Sequence, residues 1–417
     1  MKFSGSVFAT TAAVSLSLSS VAAETALQQP EAYQQRLVDW IRSGENGYFH
    51  PQVQWKRLGG TGSYAMHTTV DLPKGTPLLV VPRSHIIDSY KTHDDCVTIA
   101  RMLGEYERGD DSFFAPYLSY LFDDTVGGTG TGLLPASWSE EGKDLLELIL
   151  GNENGKGLLP RNFIQKSVFA KCGDNFRATH DDEELEDEDL LQQAEDAYLF
   201  HLSRSWEDKM VPVLDMYNHR NGESLNVEST IVHSDDDVTA FALRDIKAGE
   251  QLQNTYSECM DYDCDFGERK YTYPTTDIIT DYGFLEFYPR RWPLNPTNQM
   301  IAEVDEDLET GEKSFQWIFE TPSETDIEFI SDQLSRLRNI EVQVRRAVAK
   351  HKTSDAGEPH NNIPHEADSL LEIFEGYVEV LEMALEHKDD PIGVTEAQFR
   401  DDLQMARQRR AEVRVEL

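Results

Sequence analysis

Val211-Pro-Val-Leu-Asp-Met-Tyr-Asn-His219 is an apolar run that closes on an amide and an imidazole. Its Val, Leu, Met and Tyr residues fit a buried extended strand. An Asn-His pair at the end of such a strand puts hydrogen-bond donors where a purine edge could be read. Taken alone, the pair suits a turn cap equally well. Two later segments change its weight: Gly249-Glu-Gln-Leu-Gln-Asn-Thr-Tyr256, a Gly-Glu turn feeding a strand that ends in Tyr, and Asp281-Tyr-Gly-Phe284. The order of the three is the informative feature.

At 417 residues the chain exceeds a single typical core, and 39% hydrophobic content supports two or three packed domains. A formal net charge of −38 repels nucleic acid and anionic lipid and favours basic partners. The simplest cause of that charge is a solvated acidic surface. Residues 1–23 read as a signal peptide: Lys2, an uncharged apolar run from Val7 to Val21, and small residues at Val21-Ala22-Ala23. Entry to the secretory pathway or secretion is the expected route, with onward transfer to an organelle as the alternative. No later stretch is long and apolar enough to predict a membrane span. Cys96, Cys172, Cys259 and Cys264 allow three full pairings, among which the sequence does not choose. An oxidising compartment would permit Cys96–Cys172 or Cys259–Cys264. No zinc spacing is present and no metal is expected.

Residues 24–50 carry a short amphipathic helix with Leu37, Trp40 and Ile41 on one face. Asp71-Leu-Pro-Lys-Gly75 reads as a turn before a buried strand, Thr76 to Val81. From about 90 to 200 the period is helical, with one stripe of Phe113, Phe114, Tyr117, Leu118 and Leu121 and another of Leu145, Leu146, Leu148 and Ile149. Asp181 to Asp189 holds eight acidic residues and one Leu, an exposed loop rather than a calcium site. Strands return at 211–216, 227–233 and 238–243. Thr321-Pro-Ser-Glu324 predicts a capping box opening a helix with a stripe of Ile330, Leu334, Leu337, Val344 and Val348. A polar loop then precedes a second helix with Leu370, Phe374, Tyr377, Leu381 and Leu385 inward.

Several side chains suit ligand chemistry. Gly60-Thr-Gly-Ser-Tyr-Ala65 lets backbone approach a ligand closely, though such a turn is more often only a turn. Arg204, in His201-Leu-Ser-Arg-Ser-Trp206, could hold a carboxylate, or lie idle on the surface. A Tyr at 256, with an ordinary pKa of about 10, stays protonated at neutral pH and orients a group without acting as a base. The aromatic faces of Tyr282 and Phe284 suit a cationic amine, and equally a core.

Asp215-x-x-Asn218-His219, the following Tyr256 and Asp281-Tyr-Gly-Phe284 together resemble the catalytic half of a SET-domain methyltransferase. The variety most similar contains the Rubisco lysine methyltransferases and the actin-histidine methyltransferase. That resemblance implies an α+β chain: a SET fold of small curved β-sheets with a pseudoknot over 51–290, a helical insertion at about 90–200, and a helical, substrate-binding C-terminal domain over 291–417. It implies S-adenosyl-L-methionine as cofactor and N-methylation of lysine, or histidine, in a protein substrate, the acidic charge fitting a basic one. It assigns cofactor binding to Gly62, Ser63, Tyr64, Arg204, Asp215, Asn218 and His219. Catalysis falls to Tyr256, and the acceptor channel to Tyr282 and Phe284. A monomer is expected. The rival is a SET-fold binding module without catalysis. Ser257 and the long Cys-bearing loop after it depart from the family pattern at the acceptor side.

Overall fold

The computed structural model describes residues 33–57, 64–89, 92, 94–122, 134–151, 158, 168–177, 188–206, 208–230, 236–256, 265–266, 269–270, 274–295, 300–353, 363–395, 397–399, 401 and 404–405. The leader, Gly60 to Ser63, most of the acidic run and Cys259 with Cys264 lie outside the described residues.

Helix α1 (33–43) buries Leu37, Val38, Trp40 and Ile41. Strands β1 (Tyr48–Phe49), β2 (Val53–Arg57), β3 (Tyr64–Thr68) and β4 (Pro77–Val81) follow. Gly75 makes the turn before β4 at φ 81°, a conformation that favours glycine. Next come helices α2 (Asp95–Glu107), α3 (Ala115–Phe122), α4 (Glu140–Leu150), α5 (Val168–Arg177) and α6 (Glu188–Arg204). The chain returns to short strands: β5 (Ser205–Trp206), β6 (Lys209–Met210), β7 (Asn218–His219), β8 (Val227–Ser229), β9 (Val238–Ala242) and β10 (Gln253–Asn254). β4 lies between β1 and β9, antiparallel to both, with β8 beyond β9. β10 runs parallel to β7, Gln253 opposite Asn218 and Asn254 opposite His219. The chain leading to Tyr256 therefore lies beside the Asn-His pair.

The apolar run before that pair is not a strand. Leu214–Met216 is a turn of 3-10 helix, and Val213 has φ 71°. A β-branched residue in this left-handed region ends any extended path. Val211, Val213, Leu214 and Tyr217 are buried nonetheless. Their apolar character records burial on all sides, a signal that sequence alone does not separate from a buried strand.

After a small antiparallel pair, β11 (Asp265–Phe266) and β12 (Arg269–Lys270), helix α7 (Thr275–Tyr282) leads into β13 (Arg290–Pro293), β14 (Ile301–Glu306) and β15 (Lys313–Ile318). Helices α8 (Glu324–Thr353) and α9 (Ile363–Glu386) pack on one another, and β16 (Ile392–Val394) closes a sheet of order β13-β14-β15-β16. The region expected to be helical thus contains a four-stranded sheet. Ile301 to Val304 are all buried, so β14 lacks the alternation that marks a half-exposed strand. Both helical stripes face inward as expected, with Leu385 only partly buried. The capping box sits two residues later than predicted: the Ser323 amide and hydroxyl bond the Asp326 carboxylate, and the Asp326 amide returns to Ser323 Oγ at 3.3 Å.

Among the described residues two hydrophobic cores form. The first unites α1, α2, α3, α5 and α6 with the sheets before residue 256. Phe113, expected in that stripe, precedes α3 and stays half exposed. The second joins α7, β13–β15, α8 and α9, and it also takes α4 from the insertion through Leu145, Leu146, Ile149 and Leu150. Glu366, near the start of α9, accepts from Ser139 N at 2.9 Å and Ser139 Oγ at 2.8 Å. At the other end of α4, Arg336 donates to the carbonyls of Leu148 and Ile149. These carbonyls have no partner within their own helix. A disulfide, Cys96–Cys172, joins α2 to α5. Among the described residues no helix is long and apolar enough to cross a membrane, and no cluster suits a metal.

Candidate functional site

A narrow cleft opens where α6 ends and β10 finishes. It is lined by Ser203, Arg204, Ser205, Trp206, Leu214, Asp215, Thr255, Tyr256 and Tyr282. Arg204 is the last residue of α6 and Asp215 sits in the 3-10 turn. The left-handed kink at Val213 is what turns Asp215 back toward the helix end. Arg204 Nη1 donates to the Asp215 carbonyl at 3.2 Å and lies 3.5 Å from its Oδ2. Tyr117, buried on α3, donates to the same Oδ2 at 2.8 Å. Burial raises the Asp215 carboxyl above its ordinary range, against the opposing pull of Arg204 and the Tyr117 hydrogen bond. Burial works against the Arg204 charge, but Asp215 and the surrounding tyrosines hold its pKa above the usual value. Arg204 Nε and Asp215 Oδ1 are each buried without a partner. An orphaned donor and an orphaned acceptor therefore belong to neighbouring walls of one cleft.

Tyr256 is pinned at both ends. Its amide donates to His219 Nδ1 at 2.9 Å and its hydroxyl to the Tyr217 carbonyl at 2.9 Å. Burial pushes the phenol up to about 12, with Arg204 pulling it down and Asp215 adding to the rise. At neutral pH it is a phenol, never a base. Tyr282 closes α7 with its ring 4.6 Å from that of Tyr256. Gly283, at φ 79°, reverses the chain so that Phe284 returns to 6.1 Å from the His219 ring and 6.3 Å from Tyr282.

The sequence-derived site is assembled in part. Arg204, Asp215, Tyr256 and Tyr282 line the cleft, while Asn218, His219 and Phe284 are not among its lining residues. Gly62 and Ser63 lie outside the described residues, and Tyr64 is described by its backbone at the start of β3. The imidazole expected to face a ligand is spoken for. His219 is buried, Nδ1 holds the Tyr256 amide, and Nε2 lies 2.9 Å from Glu286 Oε2. A ligand contact from His219 would run through its backbone.

Other polar residues support the site without having stood out in the sequence. Glu286, 2% exposed, also accepts from Asn221 Nδ2 at 2.9 Å and from the Thr275 hydroxyl. Asn221 in turn accepts from Thr255 Oγ1 at 2.9 Å. Only Glu286 had a local signal, an acidic residue within an otherwise apolar Phe284-Leu-Glu-Phe287 run.

Residues 63–257 match the family model described as the SET domain. This bears out the α+β SET fold expected from the motifs. No curated protein matches the sequence. Similar solved structures include the SET domain of LSMT bound to lysine and AdoHcy, at 13% identity and TM-score 0.43, covering 89% of this chain and 95% of that one. Rubisco LSMT bound to AdoMet is similar at 13% identity and TM-score 0.44, covering 88% and 95%.

Proposed function

We propose that this chain, with its SET-domain match over 63–257, is a protein N-methyltransferase using S-adenosyl-L-methionine, with lysine as acceptor and histidine as the alternative. The observation that carries the reading is the phenol of Tyr256, held protonated and fixed within a cleft beside Arg204 and Tyr282. Two LSMT structures that resemble this chain carry AdoMet or AdoHcy, which agrees with that choice of cofactor.

The residues fit such a cofactor. Its amino-acid end bears a carboxylate and an ammonium group, matching the unpartnered Arg204 Nε donor and Asp215 Oδ1 acceptor. When bound, it supplies a methyl group on a sulfonium, and transfer to nitrogen is an in-line displacement. The protein's part is alignment and exclusion of water. With its proton committed to the Tyr217 carbonyl, the Tyr256 oxygen is an acceptor that can orient an amine N–H. The Tyr282 face beside it suits the cation formed on methylation. The net charge of −38 supports a basic protein substrate, and the Cys96–Cys172 disulfide supports an oxidising, secretory location.

Replacing Tyr256 with Phe tests the reading. Labelled methyl transfer into a lysate should fall roughly a hundredfold or more, as expected when a reacting group loses its alignment. Calorimetry should still register cofactor binding. An undiminished rate would sink the assignment, as would folded wild-type protein that binds no S-adenosyl-L-methionine.

A further inference from the structure

Glu286 does more than fill space under β7. The Tyr256 amide, 2.9 Å from His219 Nδ1, can only donate, so Nδ1 is an acceptor and carries no proton. The neutral ring then has its proton on Nε2, 2.9 Å from Glu286 Oε2. Asn221 Nδ2 stands 3.4 Å from Nε2, but two donors cannot bond each other, and the amide turns to the carboxylate at 2.9 Å. Thr275 donates to the remaining oxygen of Glu286, while its own oxygen accepts from Arg291 N at 2.9 Å. Each of these contacts requires an acceptor at position 286.

We propose that Glu286 is a positioning residue for the methyl-transfer site. By accepting from His219 Nε2 it selects the ring tautomer whose Nδ1 holds the Tyr256 amide, and so fixes where the phenol stands. The inference rests on the methyl-transfer reading above, because only there does the place of the phenol govern a rate. The line of action is continuous: Glu286 to His219, His219 to the Tyr256 amide, and the Tyr256 hydroxyl to the Tyr217 carbonyl. The parallel pairing of β7 with β10 keeps the two ends of that line in register.

Two variants separate hydrogen bonding from packing. Glu286→Leu keeps the bulk and removes the acceptor, whereas Glu286→Gln retains an amide oxygen that can still receive the Nε2 proton. Full-length protein labelled with 15N-histidine, with His219→Asn to assign the resonance, reports the tautomer through ring nitrogen shifts. Wild type and Glu286→Gln should show His219 protonated on Nε2, and Glu286→Leu should lose that signature. The kcat for methyl transfer should fall roughly tenfold to a hundredfold in Glu286→Leu, with a smaller loss in Glu286→Gln and little change in the KM for cofactor. A wild-type ring protonated on Nδ1, or a Glu286→Leu enzyme with undiminished kcat, overturns the proposal. Should Glu286→Leu fail to fold, the wild-type spectrum decides: protonation on Nε2 supports the proposal and protonation on Nδ1 overturns it. Failure of the methyl-transfer reading is distinct, since it appears as wild-type protein that transfers no methyl group whatever the spectrum shows.

Discussion

Replacing Tyr117 with Phe removes one oxygen from the buried cluster behind the cleft, and its cost should depend on pH. Tyr117 is fully buried and donates at 2.8 Å to a carboxylate whose side chain is also inaccessible to solvent. A hydrogen bond to a charged group contributes about 1.5–3 kcal/mol, against about 1 kcal/mol between neutral partners. Phe occupies the same space, so cavity formation adds little. Burial raises Asp215, so its charged form burdens the fold once pH climbs past the ordinary carboxylate range and through the raised folded value. The Tyr117 hydroxyl relieves part of that burden by favouring the charged form. The variant should therefore lose about 1 kcal/mol in acid, where Asp215 is neutral, and about 1.5–3 kcal/mol above neutrality. Urea unfolding of both proteins at pH 3, below the ordinary carboxylate range, and at pH 8 measures the difference, and other titrating groups cancel between them. An equal loss at both pH values, or a larger one in acid, would refute the electrostatic account of this cluster.

The Cys96–Cys172 bond closes a separation of 76 residues, so reduction should lower stability by about 4 kcal/mol, read as a shift in the urea midpoint with and without dithiothreitol. His201 is held neutral, lowered to about 4 first by burial, with Lys171 acting in the same direction. The unfolded chain thus takes up a proton that the fold refuses. Stability should be complete above about 6.5, fall as pH drops from there to about 4, and lose that slope in His201→Gln. Since the Tyr256 phenol is pushed up to about 12, the ultraviolet absorbance difference between wild type and Tyr256→Phe should show no phenolate forming near the ordinary tyrosine value of about 10. A phenolate step there that Tyr256→Phe lacks would place an unburied phenol at the site.

Much of the cleft was legible because its parts announce themselves locally. A tyrosine ending a strand, an arginine ending a helix and aromatics around a glycine keep their meaning before any partner is known. The apolar run at 211–217 misled because burial and strand formation leave the same trace, and only the φ of Val213 separates them. Glu286, Tyr117 and Asn221 were illegible for another reason. His219 and Glu286 are 67 positions apart and Tyr117 and Asp215 are 98 apart, and nothing in a polar residue names so distant a partner. The sheet around β14 was hidden by burial on both faces.

The course of α4 bears on how this chain is made. Its anchor, Ser139, meets Glu366 only after 227 further residues have been joined. At about 5–20 residues per second, a ribosome needs roughly 10–45 s to deliver the partner. During that interval Leu146, Ile149 and Leu150 have no finished core to enter. The first half of the protein must therefore carry an unsheltered apolar helix through most of its synthesis. That places a demand for chaperone cover on an internal segment, where a chain of two consecutive domains would have none.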